Sequence, residues 1–309
     1  MRLDGIHHVT CITGDVIRNA EFYVGVLGLR LVGKSVNQDD PLVYHVFYSD
    51  ESDDPGADIT FFEYRHAMRG RAGAGTIYRV VWRVASADAL AFWEKRLATH
   101  DVKATRDGDH LLFADPEGLQ HELIVDHSGD RPLIAEHPEI PSELALHGFE
   151  GVRAYAREAE RSRAVLERVM NGKALDGSTW EMRGEKRGGW IAYDPAPSAP
   201  AQPGAGSVHH VAWGTSLAEH PAWLDRLQHL RVRSTEIVDR YYFQSIYFHE
   251  PNGILFEIAS DGPGFARDGS VEELGRKIIL PPWYESRRKE IEAQLTPIPD
   301  LRANWARKA

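Results

Sequence analysis

A single cysteine, Cys11, stands in 309 residues. No disulfide can therefore form within the chain, and nothing in it calls for an oxidising compartment. No apolar run approaches the ~20 residues needed to cross a bilayer. The N-terminus, MRLDGIHH, lacks the apolar stretch of a signal peptide. Positive charge is also short: 36 Lys and Arg against 46 Asp and Glu give a net charge of −10. Nucleic acids and anionic membranes both reward a basic surface, so neither is expected as a partner. The expected location is cytoplasmic. What the chain has in plenty is histidine, 15 residues. Four of them form two doublets, in GIHHVTCITGD and GSVHHVAWGT.

Each doublet opens one copy of a repeated unit. The clearest copy starts at Ser207 and reads strand, amphipathic helix, then three strands ending in EPNGILFEIASD. Pro251 presets φ for the last turn, and Asn252 and Gly253 tolerate a left-handed backbone. A second copy starts at Thr76, where DPEGLQHEL overlays EPNGILFEI and Glu122 falls on Glu257. Two fainter copies span 6–64 and 146–194. The stretches between them are rich in Gly, Pro and charge, as linkers are. The expected fold class is α+β: four βαβββ modules (6–64, 76–125, 146–194 and 207–260) building two curled, mixed-sheet cups. The expected division is an N-terminal half, 1–130, a C-terminal half, 144–260, and a helical tail, 261–309.

Strand parity separates the two histidines of each doublet, because neighbouring strand residues point to opposite faces. Val9, Val211 and Trp213 are bulky and apolar and belong under the helices. His8 and His210 then face the cup. In the last strand Phe256 and Ile258 take the helix side, so Glu257 also faces the cup. Two imidazoles and a carboxylate form the ligand set of a facial triad. On an octahedral divalent metal this set leaves about three positions open, enough for a bidentate substrate plus O₂. A lone strand histidine is more often a hydrogen-bonded core residue, and a lone Glu near a strand end is usually solvated; three cup-facing candidates at equivalent repeat positions favour a metal. The cup positions of the four first strands read His8, Arg79, Gly148 and His210. Only pairing module 1 with module 4 completes a triad. Modules 2 and 3 would then form a dead cup of Arg79, Gly148 and Glu122, held by an ion pair. Glu63, near the end of module 1, is a candidate fourth ligand.

The motifs IHHVTCITGD, VHHVAW, RYYFQSIYFHEPNGILFEIASD and LPPWYESRRKEIE resemble those of the vicinal oxygen chelate superfamily, which includes glyoxalase, antibiotic-resistance proteins and extradiol dioxygenases. Within it they are similar to the hydroquinone ring-cleaving dioxygenase group. The resemblance runs over almost the whole chain and is most specific in the fourth module. It implies Fe(II) as cofactor, with Mn(II) as a substitute, on His8, His210 and Glu257. It implies substrate-contacting or proton-handling roles for His7, Thr10, His209, Arg240 and Tyr247. The Tyr247 hydroxyl can bind a substrate oxygen or donate a proton. Arg240 can pair with a phenolate or a developing carboxylate. His7 and His209 can move protons or orient the ligands, although parity points both away from the metal. Thr10 shares the face of His8.

The implied function is oxidoreductase chemistry in aromatic catabolism: opening a hydroquinone-type ring with O₂ as co-substrate. Three other readings stay open at the level of sequence. They are a glyoxalase-like lyase or isomerase, which a four-ligand site would favour; catechol cleavage; and a non-catalytic protein that sequesters an aromatic compound. A homo-oligomer also stays open.

Overall fold

The fold is taken from a computed structural model that describes residues 1–303 and Trp305. Among the described residues, sixteen strands form two eight-stranded sheets. The first contains β1 (Ile6–Thr13), β2 (Arg30–Val36), β3 (Tyr44–Ser49), β4 (Asp58–Glu63), β13 (Val208–Thr215), β14 (Val238–Asp239), β15 (Gln244–His249) and β16 (Leu255–Ser260). Its order is β14-β15-β16-β13-β1-β4-β3-β2. The second contains β5 (Thr76–Val84), β6 (Ala104–Asp107), β7 (His110–Ala114), β8 (Gln120–Val125), β9 (Leu146–Ala156), β10 (Lys173–Ala174), β11 (Thr179–Arg183) and β12 (Gly188–Pro195). Its order is β10-β11-β12-β9-β5-β8-β7-β6. The first sheet thus joins modules 1 and 4, and the second joins modules 2 and 3, as expected. Each module's first and last strands run parallel, and the two modules of a sheet meet through antiparallel first strands.

Helices cover the convex faces. In α2 (Ala87–Thr99), Ala89, Leu90, Trp93 and Leu97 recur at helical spacing and are buried. Ser86 caps its first turn by accepting from the Ala89 amide. In α3 (His220–His229), Trp223 and Leu227 do the same packing. Module 1 has only the short α1 (Val16–Ala20), which runs on as a wider π-helical turn, Glu21–Val26, with Phe22, Tyr23 and Val24 buried. Val9, Val211, Trp213, Phe256 and Ile258 are fully buried in one continuous core, on the side that parity assigned them. Beyond β16 the chain makes short helical turns. Ile279 N–H donates to Lys34 O and Tyr284 OH to Gln38 O, so the tail covers the open edge of the first sheet at β2. No helix among the described residues is long and apolar enough to cross a membrane.

The second cup is closed by its own side chains. Arg79 Nη1 meets Glu122 Oε2 at 2.9 Å, and His110 Nδ1 meets the other carboxylate oxygen at 2.6 Å. The expected third member, Gly148, is not at the cup position. In the first sheet His210 pairs with Thr10, two residues beyond His8. In the second, Arg79 pairs with Arg153, so the residue equivalent to His8 is Gly151. Strand β9 has 11 residues and β1 has 8. Counting from the strand's start therefore misjudges the register, which pairing to β5 sets. Trp190 lies on Gly151: a Cβ added there would come within 2.3 Å of its ring. The indole takes up the space that a ligand side chain would use.

Gly151→Ala is expected to destabilise the fold by about 1–3 kcal/mol through overpacking against Trp190; urea denaturation measures it. A second expectation concerns His121. It is buried between Trp82 Nε1, which donates to its Nδ1 at 3.1 Å, and Tyr23 OH, 3.0 Å from its Nε2. Burial lowers its pKa from 6.5 to about 3. The unfolded chain binds a proton there that the folded chain refuses, so stability falls as pH drops from 6.5 towards 3. His121→Gln should remove up to about 1.4 kcal/mol per pH unit of that slope, read from denaturation curves across the interval.

Candidate metal centre

The seam between β1 and β13 carries the site. Antiparallel pairing sets His8 opposite Ala212 and Thr10 opposite His210. The register slips twice along this seam, between Ile6 and His8 and between Thr10 and Cys11. Each slip leaves one residue unpaired, His7 on β1 and His209 on β13, so each doublet contains a β-bulge. A bulge breaks the strict alternation and re-aims a side chain. The first histidine of each pair consequently lies beside the second: His7 Nδ1 is 3.0 Å from His8 Nδ1, and His209 Nδ1 is 2.8 Å from His210 Nδ1. Parity correctly placed His8 and His210 on the cup face. It failed for their neighbours because it assumes an unbroken ladder.

The metal-facing nitrogens follow from proton accounting. His7 Nε2 is 3.2 Å from the carbonyl oxygen of Ser260, which can only accept, so Nε2 carries the proton. Burial, with His8 nearby, lowers the His7 pKa to about 3, and the ring is neutral. Its Nδ1 is then bare and accepts from His8 Nδ1–H. The lone pair of His8 Nε2 is left facing the cup. There it meets His210 Nε2 at 3.3 Å and Glu257 Oε2 at 3.3 Å, while His210 Nε2 is 2.9 Å from the same oxygen.

The other oxygen of Glu257 accepts from Ser245 Oγ at 2.5 Å. Oε2, wholly buried, has no partner in hydrogen-bonding geometry among the described residues. Donors bound to one metal at about 2.1 Å and subtending right angles sit about 3.0 Å apart. The three donor atoms match that spacing, and a buried carboxylate oxygen beside a forced nitrogen lone pair is what a cation would satisfy. The group could hold one metal ion. Glu63 does not join it. Its Oε1 accepts from the Val16 amide at the start of α1, on the opposite face of the sheet.

His8 and His210 border a cavity of about 340 Å³. Thr10, His209, Arg240 and Tyr247 all border it, whereas His7 faces a smaller recess with Asp53 and Asp58. Arg240 Nε donates to Tyr247 OH at 3.1 Å, and its terminal nitrogens meet both oxygens of Asp39 at 3.2 and 3.0 Å. Asp39 belongs to the loop between β2 and β3, so this ion pair ties that loop to the cavity rim. Burial, then Glu257, pushes the Tyr247 hydroxyl up, and it stays protonated at neutral pH. Burial lowers His209 to about 4. Parity along β3 and β4 would have added His45, Phe47 and Phe62, which also line the cavity. Phe243, whose ring centroid is 5.1 Å from that of His8, sits in a turn that parity cannot read. A larger cavity of about 670 Å³ lies under the tail and touches none of the triad.

Residues 5–123 and 148–258 match the family model described as "Glyoxalase/Bleomycin resistance protein/Dioxygenase superfamily". The chain is 39% identical to "Putative ring-cleaving dioxygenase MhqA" of Bacillus subtilis over 96% of its own length and 100% of the relative's. It is 30% identical to "Chlorohydroquinone/hydroquinone 1,2-dioxygenase" of Sphingobium indicum, over 94% and 95% of the two chains. A crystal structure of a "putative dioxygenase" from B. subtilis superimposes with a TM-score of 0.90 at 36% identity, covering 96% of this chain and 98% of that one. Maize glyoxalase I shares the fold at 15% identity, with a TM-score of 0.56 over 84% and 92%.

Glu257→Gln is expected to lower divalent-metal affinity by at least about 10-fold, the lower end of what losing even a supporting contact costs. Glu63→Gln should leave affinity within about twofold. Metal content after dialysis at fixed free metal distinguishes them; equal losses would return Glu63 to the ligand set.

Proposed function

This chain belongs to the Glyoxalase/Bleomycin resistance protein/Dioxygenase superfamily, and on that premise we propose that it is a metal-dependent dioxygenase that opens a hydroquinone-type aromatic ring with O₂. One observation carries the reading: His8, His210 and Glu257 converge on a single point at the floor of an aromatic-lined cavity. Three protein donors leave an octahedral ion room for a ring oxygen and O₂ together. The metal we assign is Fe(II); Mn(II) suits the same nitrogen and oxygen donors. When bound, it supplies Lewis acidity towards a ring hydroxyl and a route for electrons from ring to O₂.

The chain's own residues bind, orient and protonate. His7 holds the His8 ring in one tautomer through the Nδ1 contact, and the Ser260 carbonyl fixes His7 in turn. His209 stands against His210 Nδ1 in the same way and borders the cavity, where it is suited to pass a proton. Tyr247 offers a hydroxyl that Arg240 orients, suited to hydrogen-bond a ring oxygen or to protonate a developing anion. Arg240 adds a fixed positive charge at the same point. Phe47, Phe62 and Phe243 exclude water and present faces and edges to a flat ring. The relative named for chlorohydroquinone and hydroquinone supports the choice of ring. A glyoxalase-like reaction on a four-ligand centre has less support, since Glu63 is engaged at α1.

Anaerobically Fe(II)-loaded protein is expected to consume O₂ when offered hydroquinone or methylhydroquinone. Tyr247→Phe should lower kcat by about 10²-fold, the ordinary loss for a proton-transfer group. Uptake with catechol alone would overturn the substrate class, and no uptake with any of the three would overturn the dioxygenase.

A further inference from the structure

The two cups can be compared position by position within one chain. On β15, Tyr247 stands opposite Glu257 of β16, and Ser245 stands opposite Ala259. On β7, Leu112 stands opposite Glu122 of β8, and His110 stands opposite Ile124. Ser245 and His110 therefore hold the same place in the two cups, two residues before the glutamate's partner and on the same strand face. Both contact the glutamate's Oε1. Ser245 Oγ donates to Glu257 Oε1 at 2.5 Å, and His110 Nδ1 stands 2.6 Å from Glu122 Oε1. Oε2 is left to the centre of each cup. In the first cup it meets Nε2 of His8 and of His210, at 3.3 and 2.9 Å. In the second a cation already occupies the centre: Arg79 Nη1 meets Glu122 Oε2 at 2.9 Å. A guanidinium can grip both oxygens of a carboxylate with its two terminal nitrogens. Arg79 grips one, and its Nη2 turns to Gln120 Oε1 at 3.0 Å, because His110 holds the other. The second cup thus shows how this framework presents a glutamate to a cation: through a single oxygen, with its twin held by the neighbouring strand.

We propose that Ser245 is a positioning residue that confines Glu257 to one-oxygen coordination of the metal, and so keeps about three of an octahedral ion's six positions open. Ser245 and Glu257 are both fully buried, so bulk water does not compete for the hydroxyl or for Oε1. A hydrogen bond to a charged oxygen is short and strong, and more so in a place of low dielectric. Without the hydroxyl, Oε1 would be a buried, charged oxygen lacking its donor, which is costly. The ion beside it would answer that charge. The carboxylate would turn to bind through both oxygens, a fourth position would be taken, and two would remain. The inference rests on the metal site of the proposed function and is independent of ring cleavage.

Water proton relaxation of the Mn(II)-saturated protein tests this without turnover, because it counts the exchangeable waters on each bound ion. The wild-type protein is expected to carry about three, and Ser245→Ala about two, so that relaxivity per bound ion falls by about a third. Ser245→Thr, which keeps the hydroxyl, should retain the wild-type value. If Ser245→Ala does not fold, Ser245→Cys, similar in size and only a weak donor, serves in its place with the same expected loss. Crystals of the Mn(II)-loaded forms read the same difference directly: one Glu257 oxygen on the ion in the wild type, both in the variant. A serine that acts only through packing or metal affinity would change the metal content or the stability and leave the waters per ion unchanged. An unchanged count in the variant, or both oxygens on the ion in the wild type, overturns the inference. Metal held by His8, His210 and Glu257 with unaltered coordination in the variant removes the role of Ser245 alone. Metal bound by other residues removes the site itself, and the inference with it.

Discussion

The pairing of β1 with β13 is the constraint on which everything else depends. These strands come from opposite ends of the chain, and their antiparallel ladder is the contact that brings His8 within 3.3 Å of His210. Two bulges in that ladder then turn His7 and His209 onto the rings they support. Collecting two imidazoles and a carboxylate in a dry place is costly unless each lone pair and proton is matched. His7, His209, Ser245 and the Ser260 carbonyl match all but the converging donor atoms. What remains unmatched has the shape and charge that a divalent cation requires.

The second sheet follows the same plan with different contents. Arg79 stands where His210 would be, Glu122 where Glu257 would be, and Gly151 where His8 would be. An ion pair and the Trp190 indole fill the space. The strand framework therefore fixes where ligands can stand, and the side chains alone decide whether a cup binds a metal or becomes core. The Arg79–Glu122 pair answers its own charges; the His8–His210–Glu257 group does not.

Much of this was legible in the residues themselves. Alternation placed Val9, Val211, Trp213, Phe256 and Ile258 under the helices, and with them the facing of His8, His210 and Glu257. Counting ligands per cup then yielded the interlaced pairing of modules. Other features escaped for identifiable reasons. Bulges are set by the partner strand, so the true places of His7 and His209 could not be read from their own strands. The length of β9 hid Gly151 behind Gly148. Glu63 reads as a spare carboxylate in the sequence, and only the position of α1 reveals that it caps a helix.

The most direct measurement is the anomalous scattering of Fe(II)-loaded crystals on either side of the iron absorption edge. The account predicts one strong peak, about 2.0–2.2 Å from His8 Nε2, His210 Nε2 and Glu257 Oε2, with Glu63 remote from it and no peak in the Arg79–Glu122 cup. A peak bound by any other set of residues, or a fully loaded crystal with none between β1 and β13, would contradict it.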